Sequence, residues 1–154
     1  MSQGVLGTAA PRYADVVLLV EIVMGVALLV GAVFARLHRF RLHAWCQSLV
    51  VLLNLGVIIF VMLPAFREQV VPKLPSKLTK PYYALATVHA TVGTVAEIAG
   101  LFVLLSAGTK LIPPRFRMKN YKLWMRGTLA LWWLSLLLGS TTYAVWYVPR
   151  LFRR

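Results

Sequence analysis

Three ionisable side chains stand out in this sequence because each lies well inside a long apolar run. They are Glu21, His89 and Glu97, in a chain that has only 4 acidic residues and 3 histidines among 154 residues. A carboxyl group or an imidazole surrounded by hydrocarbon is costly unless it faces the protein interior, where it pairs with another polar group, carries protons or binds a ligand. These three positions are therefore the first candidates for a functional site.

The elements that must position these side chains are four apolar stretches, at residues 14–36, 43–66, 82–107 and 123–148. Each has about the 20 residues that a helix needs to cross a bilayer. The chain is 60% apolar and its mean hydropathy is +0.75, a composition that excludes a water-soluble domain of this size. We predict one all-α domain, an integral membrane four-helix bundle. The short links between the stretches predict an up-down-up-down order.

Helix rise predicts that Glu21 and His89 share one layer of this bundle. At about 1.5 Å per residue, both lie roughly 10 to 12 Å from the end that carries the chain termini. The fourth helix would add Ser140 and Thr141 to this layer, and the second helix residues near Ile58. Such a cluster can bind a metal, a haem or a quinone, or relay protons. The alternative is a structural pair, in which Glu21 and His89 are hydrogen-bonded to each other across helices.

Glu97 is expected on a face of small residues along the third helix. An unpaired charge in hydrocarbon costs several kcal/mol, so we expect this carboxyl group to be protonated and to act mainly as structural glue. The other members of this face are Ala86, Ala90, Gly93 and Gly100, and the residues expected to accept the proton of the carboxyl group are Gln47, Asn54 or Ser135.

Polar residues also form one stripe on the second helix and another on the fourth. The two stripes indicate either a hydrated interior or, as the favoured interpretation, tight packing between the second and fourth helices. Their members are His43, Gln47 and Asn54 on the second helix, and Ser135, Gly139 and Thr142 on the fourth.

The remaining histidines, His38 and His43, flank a short turn among three arginines. We expect both to face solvent or lipid headgroups. The axial ligands of a haem must lie at the same depth, whereas helix rise places His43 and His89 near opposite ends of the bundle. The sequence therefore excludes these two residues as a bis-histidine haem pair.

Charge and motif content exclude several classes of function. The chain has 17 Lys and Arg against 4 Asp and Glu, but the basic residues lie almost wholly between or beyond the apolar runs. Anionic lipids are therefore expected as partners, and nucleic acid is not. Cys46 is the only cysteine, which excludes an intrachain disulfide. No nucleophile elbow or glycine-rich phosphate loop is present, so we expect neither a hydrolase nor a nucleotide-driven enzyme.

Three segments resemble a known family. They are Arg36-Leu-His-Arg-Phe-Arg-Leu-His43, His89-Ala-Thr-Val-Gly, and the last helix from Trp124-Met-Arg-Gly to Gly139-Ser-Thr-Thr-Tyr143. Their order resembles a bacterial family of small four-helix membrane proteins that is linked to cytochrome oxidase assembly and suspected of haem binding. Family members tend to carry further histidines where this chain has Phe66-Arg67 and Lys119-Asn120.

The resemblance implies a multi-pass protein of the bacterial inner membrane that acts beside electron-transfer complexes. We therefore expect an accessory or assembly subunit of a respiratory or photosynthetic complex, with other membrane subunits as partners and with lipid or one cofactor bound through His89 and Glu21. One alternative is a haem b or quinone-site protein with His89 as a ligand. A second is a small proton- or ion-conducting protein that uses Glu21, His89 and Glu97.

Overall fold

The computed structural model describes residues 4–116 and 119–148, apart from the side chains of Pro75 and Pro114. The described residues are 84% helical and contain no strand. Four helices are long and apolar enough to cross a membrane, which confirms the all-α four-helix prediction. They are α1 (Arg12–Arg36), α2 (Phe40–Lys73), α3 (Pro81–Gly108) and α4 (Tyr121–Tyr147).

Helix α2 continues beyond the predicted end at residue 66 and contains a change of helical winding. Its α-helical part Phe40–Val57 passes into a π-helical turn, Ile58–Met62, before α-helix resumes at Leu63–Gln69. Pro64 lies in the first turn of that last segment, where its missing N–H group and its ring disturb the ordinary i to i−4 pattern. A wider π turn is a known way for a helix to accommodate such a disturbance.

The four helices form a ring in which α1 packs on α2 and α4, and α3 packs on α2 and α4. Side chains of α2 bond to backbone carbonyls of α1: Cys46 Sγ lies 3.2 Å from Ala27 O and Gln47 Nε2 lies 3.1 Å from Leu28 O. The indole N–H of Trp132 on α4 donates to Ala96 O on α3 at 3.2 Å. The up-down-up-down order of membrane crossings stays a prediction.

The turn between α1 and α2 owes its shape to His38, which has a positive φ of 59°. Arg39 N–H donates to Phe34 O at 2.9 Å and His38 N–H donates to Ala35 O at 3.1 Å, the hydrogen-bond pattern of a Schellman motif. The last carbonyl groups of α1 are thereby satisfied. The His38 side chain is exposed, as the sequence predicts.

One apolar layer crosses all four helices and forms the main core. A second, smaller cluster lies nearer the chain termini, where the Tyr82 and Trp146 rings stack with their centroids 4.4 Å apart. Large apolar side chains cover the outer surface, as expected of helices that face lipid; Phe60, for example, is 79% exposed. The residues of the main layer are Met24, Leu28, Val50, Val51, Ala96 and Trp132.

Candidate functional site

An elongated cavity of about 290 Å³ lies between the four helices. Its floor contains Asn54, Ala96 and Trp132, which belong to or adjoin the main apolar layer. Its walls continue along α4 as far as Tyr147, and 15 residues of helix correspond to roughly 22 Å. The cavity is thus long and narrow, and most of the residues that line it are apolar.

Glu21 and His89 both line this cavity, together with Ile58 and Ser140. Four of the five residues predicted for the shared layer therefore line the same cavity. Thr141 is the exception, because it is exposed and its hydroxyl donates to Leu137 O at 2.7 Å within its own helix. A cofactor-binding role for Glu21 and His89 stays a prediction.

The imidazole of His89 is held against α4 in one orientation. Its Nδ1 lies 3.0 Å from Ser135 O, and because a carbonyl oxygen only accepts, Nδ1 carries the hydrogen of this bond. In the neutral ring Nε2 then keeps its lone pair. The ring lies so close to Gly139 that a Cβ atom there would approach His89 Cε1 to 2.8 Å. Glycine is required here because any larger residue would displace the ring.

Glu97 is 4% exposed and bonds to one of its three predicted partners, Asn54 of α2, but its carboxyl oxygen accepts this hydrogen bond instead of donating it. Asn54 Nδ2 donates to Glu97 Oε2 at 2.9 Å. Glu97 Oε1 is buried and has no hydrogen-bond partner among the described residues. The same is true of Glu21 Oε1, whereas the imidazole of His89, the partner predicted for Glu21, bonds to Ser135 O. The buried carboxyl groups therefore retain unused hydrogen-bonding capacity.

The polar stripes of α2 and α4 do not pack on each other, contrary to the favoured interpretation. His43 Nδ1 lies 2.8 Å from Gly31 O and Gln47 also bonds to α1, while Asn54 turns to α3. On α4, the Ser135 carbonyl bonds to His89 of α3. His43 is also only partly exposed, because it bonds to α1 instead of facing the headgroups alone.

Asp15 is a buried acid that the sequence analysis missed. It is 0% exposed, and its Oδ2 accepts the N–H group of Leu6 at 2.8 Å. Its Oδ1 accepts the hydroxyl groups of Thr8, at 3.4 Å, and of Tyr143 on α4. This carboxylate ties residues 4–11 to the ends of α1 and α4, beside the rim of the cavity. Two features of the sequence could have drawn attention to Asp15. It is one of only 4 acidic residues, and it lies at the start of the first apolar stretch, in the first turn of α1.

We expect Asp15→Ala to loosen the segment around Leu6, because Leu6 N–H loses its acceptor, while the bonds of Thr8 to the Tyr143 hydroxyl and of Ala9 N–H to Tyr147 O remain. Hydrogen exchange followed by mass spectrometry should show the amide of Leu6 exchanging roughly tenfold faster. Glu68→Ala is the matched control, since Glu68 is exposed on α2. Equal protection of the N-terminal peptide in Asp15→Ala and in the control would contradict the role of Asp15.

Comparison with known proteins identifies no relative of this chain. No family model, curated protein or solved structure matches the chain, so the resemblance seen in its sequence stays an expectation. The four candidate membrane spans indicate a multi-pass membrane protein. Its candidate site is the long cavity between those spans.

Proposed function

We propose that this chain is an accessory subunit of a membrane electron-transfer complex and that it holds one hydrophobic cofactor or lipid molecule between its helices. The observation that carries the proposal is the cavity of about 290 Å³, whose walls are mostly apolar and include Glu21 and His89. Ligand sites in helix bundles are built in this way, from a few polar groups in an apolar space. The electron-transfer setting is supported by the resemblance in sequence.

The links between the long helices support a role without catalysis. They comprise residues 37–39, 74–80 and 109–120, which leave no room for a catalytic domain between the spans. The outer surface of the helices is apolar, and the chain has a net charge of +13. Neighbouring membrane subunits and anionic lipid headgroups are the partners that such a surface suits.

The proposal is tested by asking what copurifies with the full chain. We expect an organic extract of the gently solubilised protein to contain close to one hydrophobic molecule per chain, identified by mass spectrometry. His89→Ala should lower that occupancy roughly tenfold, since it removes the polar anchor of the cavity. His43→Ala is the matched control, because His43 also bonds to a backbone carbonyl but lies outside the cavity.

An extract without a stoichiometric molecule, or equal occupancy in the two histidine variants, would contradict the ligand-holding role. Cross-linking in the native membrane tests the other half of the proposal. Oxidoreductase subunits joined to the chain support an accessory subunit. The absence of oxidoreductase subunits from every cross-linked product would contradict the accessory-subunit role.

A second candidate, a haem b or quinone site, is favoured by the orientation of His89. Ligating histidines usually donate their other ring N–H to a carbonyl or carboxylate, as Nδ1 does here to Ser135 O. Met62, at the end of the π-helical turn, also lines the cavity and is a group of the kind that completes haem ligation. Bound haem would supply one-electron chemistry, while His89 would hold its iron. A Soret band that His89→Ala abolishes supports this candidate, and a colourless native protein excludes its haem form.

A further inference from the structure

Helices α1 and α2 are bonded to each other near their connecting turn and have fewer contacts near the chain termini. Close to the turn, side chains of α2 bond to the backbone of residues 27–31 of α1. Near the termini the end of α2 packs on α3 instead, in the small apolar cluster of Val70 and Tyr83, to which no described residue of α1 belongs. There the two helices are joined by an exposed hydrogen bond of 3.0 Å from Gln69 Nε2 to Tyr13 Oη.

One helical turn inside this bond, both helices border the cavity. Val17 follows Tyr13 by four residues and Ala65 precedes Gln69 by four, so each lies on the same helix face as the bonded residue. Val17 and Ala65 line the cavity and are partly exposed. Leu63 also lines it and is 44% exposed. This side of the cavity is therefore continuous with the apolar surface that faces lipid.

His89 offers a hydrogen-bond acceptor to the cavity from α3. Its Nδ1 donates to Ser135 O, so Nε2 of the neutral ring keeps its lone pair. Nε2 has no hydrogen-bond partner among the described residues, and His89 is partly exposed although it lies between the helices. An acceptor in an apolar space costs free energy until a donor reaches it. The other titratable residues of the cavity wall are Glu21, Tyr13, Tyr143 and Tyr147.

The depth of His89 restricts which molecules can supply that donor. His89 lies eight residues after Pro81, the first residue of α3, which corresponds to roughly 12 Å along the helix. The hydrocarbon core of a bilayer is about 30 Å thick, so Nε2 lies inside it. A phospholipid keeps its charged headgroup at the interface, and its acyl chains have no donor for Nε2. An uncharged molecule with an O–H group can reach this depth and pair with the imidazole.

We propose that the cavity takes an uncharged, lipid-soluble molecule with a hydroxyl group, which enters from the lipid between α1 and α2 and donates its O–H hydrogen to His89 Nε2. This inference rests on the ligand-holding role proposed above and names the chemical class of the ligand. Long-chain alcohols and hydroquinones share this chemistry. The apolar part of the molecule fills the elongated space, against side chains such as Val61 and Phe66.

Photolabelling of the full chain in lipid vesicles tests the hydroxyl group. The probe is a long-chain primary alcohol with a diazirine in its chain, and the control probe is its methyl ether, which has no O–H hydrogen. We expect the alcohol to label cavity peptides about tenfold more strongly, the effect of one hydrogen bond. His89→Phe should remove this preference. His43→Phe should keep it, since His43 lies outside the cavity.

Ala65→Trp tests the route of entry, because the larger side chain would fill the space between α1 and α2 inside the Tyr13–Gln69 bond. When the alcohol is added to preformed vesicles, we expect this variant to be labelled roughly tenfold more slowly than the wild type. Ile59→Trp is the matched control, since Ile59 lies on the same helix, is 47% exposed and does not line the cavity. Equal rates in the two tryptophan variants would overturn entry between α1 and α2.

The comparison of the two probes on the wild-type chain needs no substitution, so it remains decisive if His89→Phe does not fold. Equal labelling by the alcohol and its methyl ether would overturn the assigned ligand class; the ligand-holding role would still stand if a stoichiometric molecule is extracted. Absence of cavity labelling by either probe, together with an empty extract, would overturn both. A preference that survives His89→Phe would overturn the role of Nε2.

Mass spectrometry of the native occupant separates the two sources of the hydroxyl group. An aliphatic alcohol or a hydroquinone in the extract supports the inference and identifies which of them the cavity holds. A stoichiometric molecule without a hydroxyl group would contradict it.

Discussion

Asn54→Leu will destabilise the folded chain by about 2 kcal/mol, because it leaves the buried Glu97 carboxyl group without its hydrogen-bond donor. The bond joins Asn54 Nδ2 to Glu97 Oε2 at 2.9 Å, and both residues are at most 8% exposed. Reversible unfolding in mixed micelles measures the change. Asn120→Leu is the matched control, since Asn120 is exposed and makes no side-chain capping bond at the start of α4.

A double variant shows whether the loss of stability in Asn54→Leu comes from the lost hydrogen bond or from the changed shape of the side chain. In the double variant Asn54→Leu with Glu97→Leu, both polar partners are replaced by apolar groups. We expect most of the lost stability to return, since exchanging both members of a buried hydrogen bond for apolar groups is nearly neutral. If Asn54→Leu costs no more than the Asn120→Leu control, the bond does not stabilise the bundle.

We expect Gly139→Leu to abolish the ligand binding that we propose for the cavity, while the four helices remain folded. Even the Cβ of alanine would approach His89 Cε1 to 2.8 Å, so the imidazole must leave its bond to Ser135 O. A leucine side chain also projects further into the space that the ligand would take. We expect occupancy in the organic extract to fall about tenfold for Gly139→Ala, the equivalent of one hydrogen bond of 1.4 kcal/mol. Gly139→Leu should bring it below detection.

Gly127→Ala is the control for these glycine variants. Gly127 lies on the same helix, and an added Cβ there meets nothing within 4 Å. Its occupancy should equal that of the wild type, and the helix should gain about 0.5 to 1 kcal/mol from the loss of a glycine. Unchanged occupancy in Gly139→Leu, with circular dichroism showing intact helices, would mean that the cavity is not the binding site.

Some of the site could be predicted because membrane helices obey simple rules of length and burial. Composition and four long apolar runs are enough for the all-α fold, since lipid leaves few ways to satisfy a backbone. Helix rise was enough to predict that Glu21 and His89 line the same space. Asn54 was one of three candidate partners for Glu97, because few polar side chains are available inside the helices.

Other contacts depend on chain segments whose positions no local pattern reveals. Asp15 meets Leu6 only because residues 4–11 fold back over the ends of α1 and α4, and it meets Tyr143 because those two helices pack on each other. Pro64 follows the π-helical turn Ile58–Met62 and indicates a disturbed helix there, but the five apolar residues of the turn do not indicate which form the disturbance takes. The π-helical turn reflects a local change of hydrogen bonding, which hydropathy does not report.

Sequence alone determined the number of helices and their approximate bounds. The tertiary structure decided which neighbour each helix face meets. His43 and Gln47 bond to backbone carbonyls of α1, and His89 bonds to one on α4. Every residue has a backbone carbonyl group, so residue types do not indicate which carbonyl accepts a given hydrogen bond. In lipid a helix is apolar on nearly all sides, so its rotation is set by packing and hydrogen bonds between helices and not by hydrophobicity.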